Sequence, residues 1–348
     1  MSQDESLGGP LGPTWELSGL RWRPGRHGGT LVGAQGLELV PGVSRGTYQR
    51  TLDAPTHAFT HLVASLAPAP FPVGAALRLT LRAKLASGWS RWCSLGIVGD
   101  GRGFPASESS APLAGEPHVE ADLWTSPEPV REAQIRIEVE AGELGGSPRL
   151  RRLALEAWDP GAPQPAPSEP NRGAWGVEIA IPTFSQRAQP GDLVERGCSP
   201  TSLAMVLCGL GREHTVPDVA ERVFDHGAEI YGNWSLNLAF AGELGLQATV
   251  RRATSLRFLE DEVAQGRAVI VSHKFGPGEL PESPLPETQG HLLVVVGFSP
   301  EGDVVVHDPA AKTEIRRVYP RRPFATSWLE RAAGIAYRIL PLNGSTRS

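Results

Sequence analysis

Residues 159 to 173 read DPGAPQPAPSEPNRG, and no other stretch limits so strongly what the chain can fold into. Proline lacks a backbone N–H and has a fixed φ, so this segment stays extended and cannot join a packed sheet or helix. The chain must therefore fold separately on either side of it. With 348 residues in all, each side is long enough to bury a core of its own. The expected organisation is a disordered tail over 1–20, a β-sandwich over 21–158, a linker over 159–173 and an α+β domain over 174–342.

Before the linker the pattern is all-β. Short β-rich runs recur over 30–32, 37–40, 60–65, 77–83, 92–97, 133–139 and 150–157, separated by Gly, Pro, Ser and Asp. In AQIRIEVEA, Ile135, Ile137 and Val139 alternate with Arg136, Glu138 and Glu140. In LRLTLRAKL, Leu77, Leu79 and Leu81 share one face. Such two-sided strands suit antiparallel sheets with one wet face each, and a jelly-roll β-sandwich is the expected architecture. Trp15, Trp22, Trp89, Trp92 and Trp124 fall in this half. Their common use is to plug the core between two sheets; exposed ones could serve a glycan or surface ligand.

After the linker, helices come first and strands follow, an α+β order. The spacing predicts helices over 199–210, 216–226, 235–245 and 255–266. Strands are predicted over 268–272, 292–298, 304–307 and 334–340. Ser199 serves as the expected N-cap of the first helix, with Pro200 at its first position. Leu203, Val206, Leu207 and Leu210 form its apolar face. SPEGD, 299–303, is a turn joining two strands as a hairpin. The interrupted basic run from Arg316 to Arg322 reads as a solvated strand edge or turn.

Cys198 lies directly before the first of these helices. A thiol there feels the positive end of the helix dipole and unpaired N–H groups, which favour the reactive thiolate. The plainer alternative is a small buried hydrophobe. His291 opens an apolar strand after Gly290, a residue that admits close approach of substrate. Asp308 ends the partner strand of the hairpin, where it can reach His291 and fix its tautomer. Cys93 and Cys208 read as core. The chain has three cysteines in all, an odd and low count that argues against a disulfide scaffold and for a reducing compartment. No CxxC or HExxH occurs and the nine histidines are scattered, so neither a metal nor another cofactor is expected.

Taken together, these segments resemble the C39-like, papain-fold cysteine peptidases. CSPTSLAMVLCGLG is similar to that family's nucleophile helix, and GHLLVVVGFSPEGDVVVHDPA to its His strand and Asp-Pro turn. YGNWSLNLAFAGELG resembles the intervening helix, with Trp234 and Asn237 matching. IPTFSQ resembles a leading strand that ends in the family's oxyanion glutamine. The resemblance implies a thiol-dependent peptidase: Cys198 as nucleophile, His291 as base and then acid, Asp308 orienting it. Gln186 would be the oxyanion donor, with Gln189 as its rival. Ser199, where the family usually has glycine, would contact or crowd the substrate, beside Trp234 and Gly290. Family members in bacterial bacteriocin exporters cleave leader peptides after double glycine, but no transporter segment is seen here. An amidase or acyltransferase on a non-protein amide, or an inactive binding module, are the alternatives.

A peptide or protein is therefore the expected substrate. The net charge of −5, without a concentrated basic face, argues against a nucleic-acid partner. No run of about 18 apolar residues predicts a membrane span. MSQDESLGGPLGP has no secretory pattern, so a cytoplasmic place is expected, with an extracellular one the alternative.

Overall fold

A computed structural model describes residues 14–341, apart from 54, 56, 102, 164, 165 and 167. Two compact units divide the chain. One comprises Gly12–Gly161 with Glu221–Val250, the other Ala162–Ala220 with Arg251–Arg338.

The first unit is built on two antiparallel sheets. One runs β10 (His118–Glu120), β11 (Leu123–Val130), β6 (Phe59–Pro68), β13 (Leu150–Trp158), β4 (Gly36–Leu39) and β3 (Thr30–Gly33), with β1 (Thr14–Ser18) also on β13. The other runs β2 (Arg26–Gly28), β5 (Arg45–Thr51), β12 (Ala133–Glu140), β7 (Ala76–Leu85) and β8 (Gly88–Trp89), with β9 (Cys93–Gly99) also on β7. Leu62, Trp124 and Leu153 of the first sheet share one apolar cluster with Tyr48, Leu79 and Ile137 of the second. Ile135, Ile137 and Val139 are buried, while Glu138 and Glu140 are exposed, as their alternation requires. Trp22 and Trp124 are fully buried, Cys93 lies in the same core, and Trp89 and Trp92 are only half-buried.

The stretch expected to be a disordered tail is ordered from residue 14. Thr14–Ser18 pair with β13, and Trp22 is buried. A strand ladder and a buried indole outweigh the local Gly and Pro content. The rest of that stretch, 1–13, lies outside the described residues.

Beyond the linker the helices are α1 (Leu193–Arg196), α2 (Cys198–Gly209), α3 (Val216–Val223), α4 (Trp234–Glu243), α5 (Arg257–Ala264) and α6 (Arg321–Ala325). Strand β14 (Leu246–Arg252) follows α4. The second unit's sheet contains β19 (Ile335–Pro341), β15 (Val269–Phe275), β16 (Thr288–Phe298), β17 (Val304–His307) and β18 (Arg316–Tyr319), in that spatial order. Strand β18 occupies the basic run, as an edge. The β16–β17 turn is closed by the Ser299 N–H donating to the Asp303 carbonyl at 2.8 Å.

Helix α4 packs within the first unit. Asn233 Oδ1 caps it, accepting from the Leu236 N–H at 3.0 Å. Asp122 accepts from the backbone N–H groups of Trp234 and Ser235. The Ser235 hydroxyl donates to the Ala64 carbonyl at 2.6 Å, and Leu236 and Ala239 join the two-sheet core. Sequence spacing showed the helix but not these neighbours, which lie more than 100 residues away in the chain.

Three local expectations are corrected. Ser199 does not cap α2: the helix begins at Cys198, and Gly197 is the cap, without a side-chain bond. Pro200 then sits in the first turn, where its missing N–H costs no helical bond. Nor does α2 have one apolar face, since Ser199 through Leu207 are all buried. The segment 181–186 is not a strand; Pro182 removes a donor, and Gln186–Ala188 form a 3-10 turn capped by Ser185.

Candidate active site

Glycine at position 197 lets α1 run directly into α2. A Cβ there would lie 2.4 Å from the Leu193 carbonyl oxygen. The junction places Cys198 in the first turn of α2, partly exposed, while the Ser202 hydroxyl ties the helix to the Leu292 carbonyl of β16 at 3.0 Å. Gly197→Ala is expected to cost about 1–3 kcal/mol through this clash, read as a lower urea midpoint at unchanged slope.

Residue 291 on β16 and residue 308 after β17 meet directly. His291 Nε2 and Asp308 Oδ1 are 2.8 Å apart and both side chains are buried. Cys198 is hydrogen-bonded to the same ring. Burial pushes the Cys198 thiol up. The hydrogen bond and charge of His291, and then the N–H groups of Leu292 and Ser199, outweigh it and hold the thiol below its ordinary value. Burial likewise disfavours the His291 imidazolium, but Asp308 and Cys198 push its pKa up to about 10. Asp308 is disfavoured by burial yet held below the usual carboxylate range by His291, by the Tyr319 hydroxyl and by the Ala310 N–H. The site thus favours a thiolate–imidazolium pair backed by a carboxylate.

Three neighbours escaped the sequence reading. The buried Tyr319 hydroxyl donates to Asp308 Oδ2 at 2.6 Å, and the Ala310 N–H donates to Oδ1 at 2.9 Å. Both carboxylate oxygens are thereby fixed. The signal for Tyr319 was one aromatic residue within the arginine run. His273 lies opposite His291 on β15, fully buried, with Nδ1 2.6 Å from the Ser327 hydroxyl. The Ser327 hydroxyl donates to the Phe324 carbonyl, so it accepts from His273 Nδ1–H. Burial and the His291 charge push His273 down to about 3, so it stays neutral beside the imidazolium.

Gln186 is stitched to the aspartate turn: its N–H donates to the Pro309 carbonyl at 2.9 Å. Its side chain is buried, with Nε2 donating to the carbonyls of Val194 and Glu195 at 3.1 and 3.2 Å. Gln189 Nε2 donates to the Ser185 carbonyl. Ser199 is buried directly after Cys198. Gly290 is exposed beside His291, and a Cβ there would meet nothing within 4 Å. Trp234 opens α4 in the other compact unit. Among the described residues no group of three or more His, Cys, Asp or Glu could hold a metal ion. No described helix is long and apolar enough to cross a membrane.

No curated protein matches the chain. Among solved structures, a double glycine motif protease from an AMS/PCAT transporter, in complex with the leader peptide, is 20% identical. That likeness covers 48% of this chain and 95% of that one, at a TM-score of 0.33. The peptidase domain of Streptococcus ComA, a bifunctional ABC transporter of a quorum-sensing pathway, is 19% identical over 46% of this chain and 98% of its own, at 0.34. A xylan-binding module, CBM15, is 12% identical over 42% of this chain and 98% of its own, at 0.23. A family model matches over residues 178–334, and through that stretch the chain is similar to the Peptidase_C39 like family.

Proposed function

We propose that the C-terminal half of the chain is a thiol-dependent peptidase that hydrolyses a peptide bond through a thioacyl-enzyme. The observation that carries the reading is the buried 2.8 Å His291–Asp308 contact, with Cys198 hydrogen-bonded to the same imidazole at the start of α2.

The Cys198 thiolate attacks the carbonyl carbon and the C=O π pair moves to oxygen. The Cys198 N–H, at the start of a helix, donates to that oxyanion. Gln186 can add a donor by turning one amide hydrogen away from Val194 or Glu195. As the tetrahedral species collapses, the C–N bond breaks and His291 gives its proton to the leaving amine. Water then attacks the thioester while His291 takes its proton; the C–S bond breaks and the thiolate returns. Asp308, fixed by Tyr319 and Ala310, holds the imidazole in register throughout. Gly290 leaves open space beside His291 for an extended peptide, and Ser199 sets the room next to the nucleophile.

Cys198→Ala is expected to abolish cleavage of a peptide library, read by mass spectrometry, with the circular dichroism spectrum unchanged. Turnover retained by that variant would overturn the reading. For the first unit, the placement of β13 between β6 and β4 in one of two antiparallel sheets supports a sandwich of jelly-roll type.

A further inference from the structure

The outer face of the second sheet of the first unit carries a cluster that the proposed peptidase chemistry does not use. The Arg82 guanidinium carbon lies 4.8 Å from the ring centroid of Trp89 and 4.7 Å from that of Trp92. Arg136 lies 4.2 Å over Trp92, and Lys84 Nζ lies 5.4 Å over Trp89. Two indoles and three cations therefore form one stacked strip across β8, β7 and β12.

Among the described residues, no carboxylate forms an ion pair with these three cations. Nearby on the same sheet, Arg45 is paired with Glu140, and Arg78 with Glu108 and Glu138. Arg82 instead uses Nε and Nη2 on Gln134 Oε1, at 2.9 and 2.7 Å. Arg136 uses the same two nitrogens on Gln49 Oε1, at 3.4 and 3.2 Å. Both partners are neutral amides, so neither guanidinium spends its charge on a carboxylate within ion-pair distance. Stacking and the amide bonds fix each guanidinium, leaving Nη1 as a pre-organised donor. Beside the strip is a recess of about 280 Å³, lined in part by Gln49, Gln134, Thr51 and Arg26. The acid at this recess, Asp53, is already paired with Arg50 at 3.3 Å.

We propose that this face binds an acidic polysaccharide. Arg82 and Arg136 take its carboxylate or sulfate groups through Nη1, Lys84 adds charge, and the Gln49–Gln134–Thr51 row meets sugar hydroxyls in the recess. The charge selects an anion. A nucleic acid would need open aromatic rings for its bases, and each indole here already carries two cations. A row of amides and a hydroxyl, with Gln134 Nε2 donating to Thr51 Oγ1 at 2.9 Å, suits a hydroxyl-rich ligand.

The test is affinity electrophoresis of the full chain through gels holding polygalacturonate, heparin or neutral dextran. Retardation by polygalacturonate or heparin and not by dextran is expected, the stronger of the two assigning carboxylate or sulfate. Arg82→Gln and Arg136→Gln should each weaken retention by about tenfold or more. Lys84→Gln, at a side chain with no hydrogen bond to lose, should weaken it less, with thermal unfolding unchanged. The proposal is overturned by no retardation in either acidic glycan, by equal retention of all three variants, or by single-stranded DNA binding as tightly as the glycans.

Discussion

His291→Ala is expected to slow alkylation of Cys198 at pH 6 by on the order of 100-fold or more. In the native site, burial raises the thiol and His291 is the largest influence holding it down. Removing the ring leaves burial opposed only by the N–H groups of Leu292 and Ser199. The thiol then moves from below its ordinary value to above it, and the thiolate fraction falls tenfold for each unit. Peptide turnover should drop by about 10²–10⁴-fold with the loss of the acid–base group. The check is the rate of iodoacetamide labelling across pH, read at each cysteine by mass spectrometry. An unchanged profile for Cys198 would mean that the imidazole does not act on the thiol.

Asp308 yields the second large effect, through stability as well as protonation. Its carboxylate is the acceptor for His291, the Tyr319 hydroxyl and the Ala310 N–H. Asp308→Ala strands all three donors in the interior, and removing one partner of a buried charge pair costs about 3–5 kcal/mol. Urea unfolding at pH 7 should show that loss as a lowered midpoint. Asp308→Asn keeps the shape and isolates the charge. With the carboxylate gone, burial draws His291 from about 10 towards and below its ordinary 6.5. The sign follows. In the native protein, the stability that His291 contributes is fully present below about pH 6.5 and is lost as pH rises through about 10. Asp308 works in the opposite direction, its contribution being lost as pH falls through its depressed value. In Asp308→Asn the alkaline limb of Cys198 reactivity should therefore move to lower pH. An Asn variant whose alkaline limb stays near pH 10 would show that something other than Asp308 holds the imidazolium.

The fold was legible where local pattern and burial coincide. Ile135, Ile137 and Val139 announce a one-face strand because β12 is wetted on its other side. The β16–β17 hairpin follows from two apolar runs flanking SPEGD. Strand β5, RGTYQRT, was not legible, since only Gly46 and Tyr48 point inward and no apolar alternation survives. The docking of α4 on β6 rests on Asp122 and Ala64, whose roles depend on contacts more than 100 residues apart. At the candidate site, the position of Cys198 before an apolar helix could be read, because a helix start is a local event. The true cap could not, since Gly197 is required by the Leu193 carbonyl of the preceding turn rather than by a side-chain bond. Tyr319 was hidden by its neighbours: Arg316 and Val318 of β18 are exposed and Arg317 is half-buried, and only the tyrosine is buried, against the carboxylate.

On the proposed function, Cys198 rests as a thiolate beside a protonated His291. The most direct measurement is iodoacetamide labelling of the native chain from acid to alkaline pH, resolved at Cys93, Cys198 and Cys208. Cys208 is as partly exposed as Cys198 but lies away from the imidazole, so it serves as the internal reference. Cys198 is expected to label rapidly well below about pH 8, and faster there than Cys208. Labelling of Cys198 no faster than that of Cys208 at every pH would contradict it.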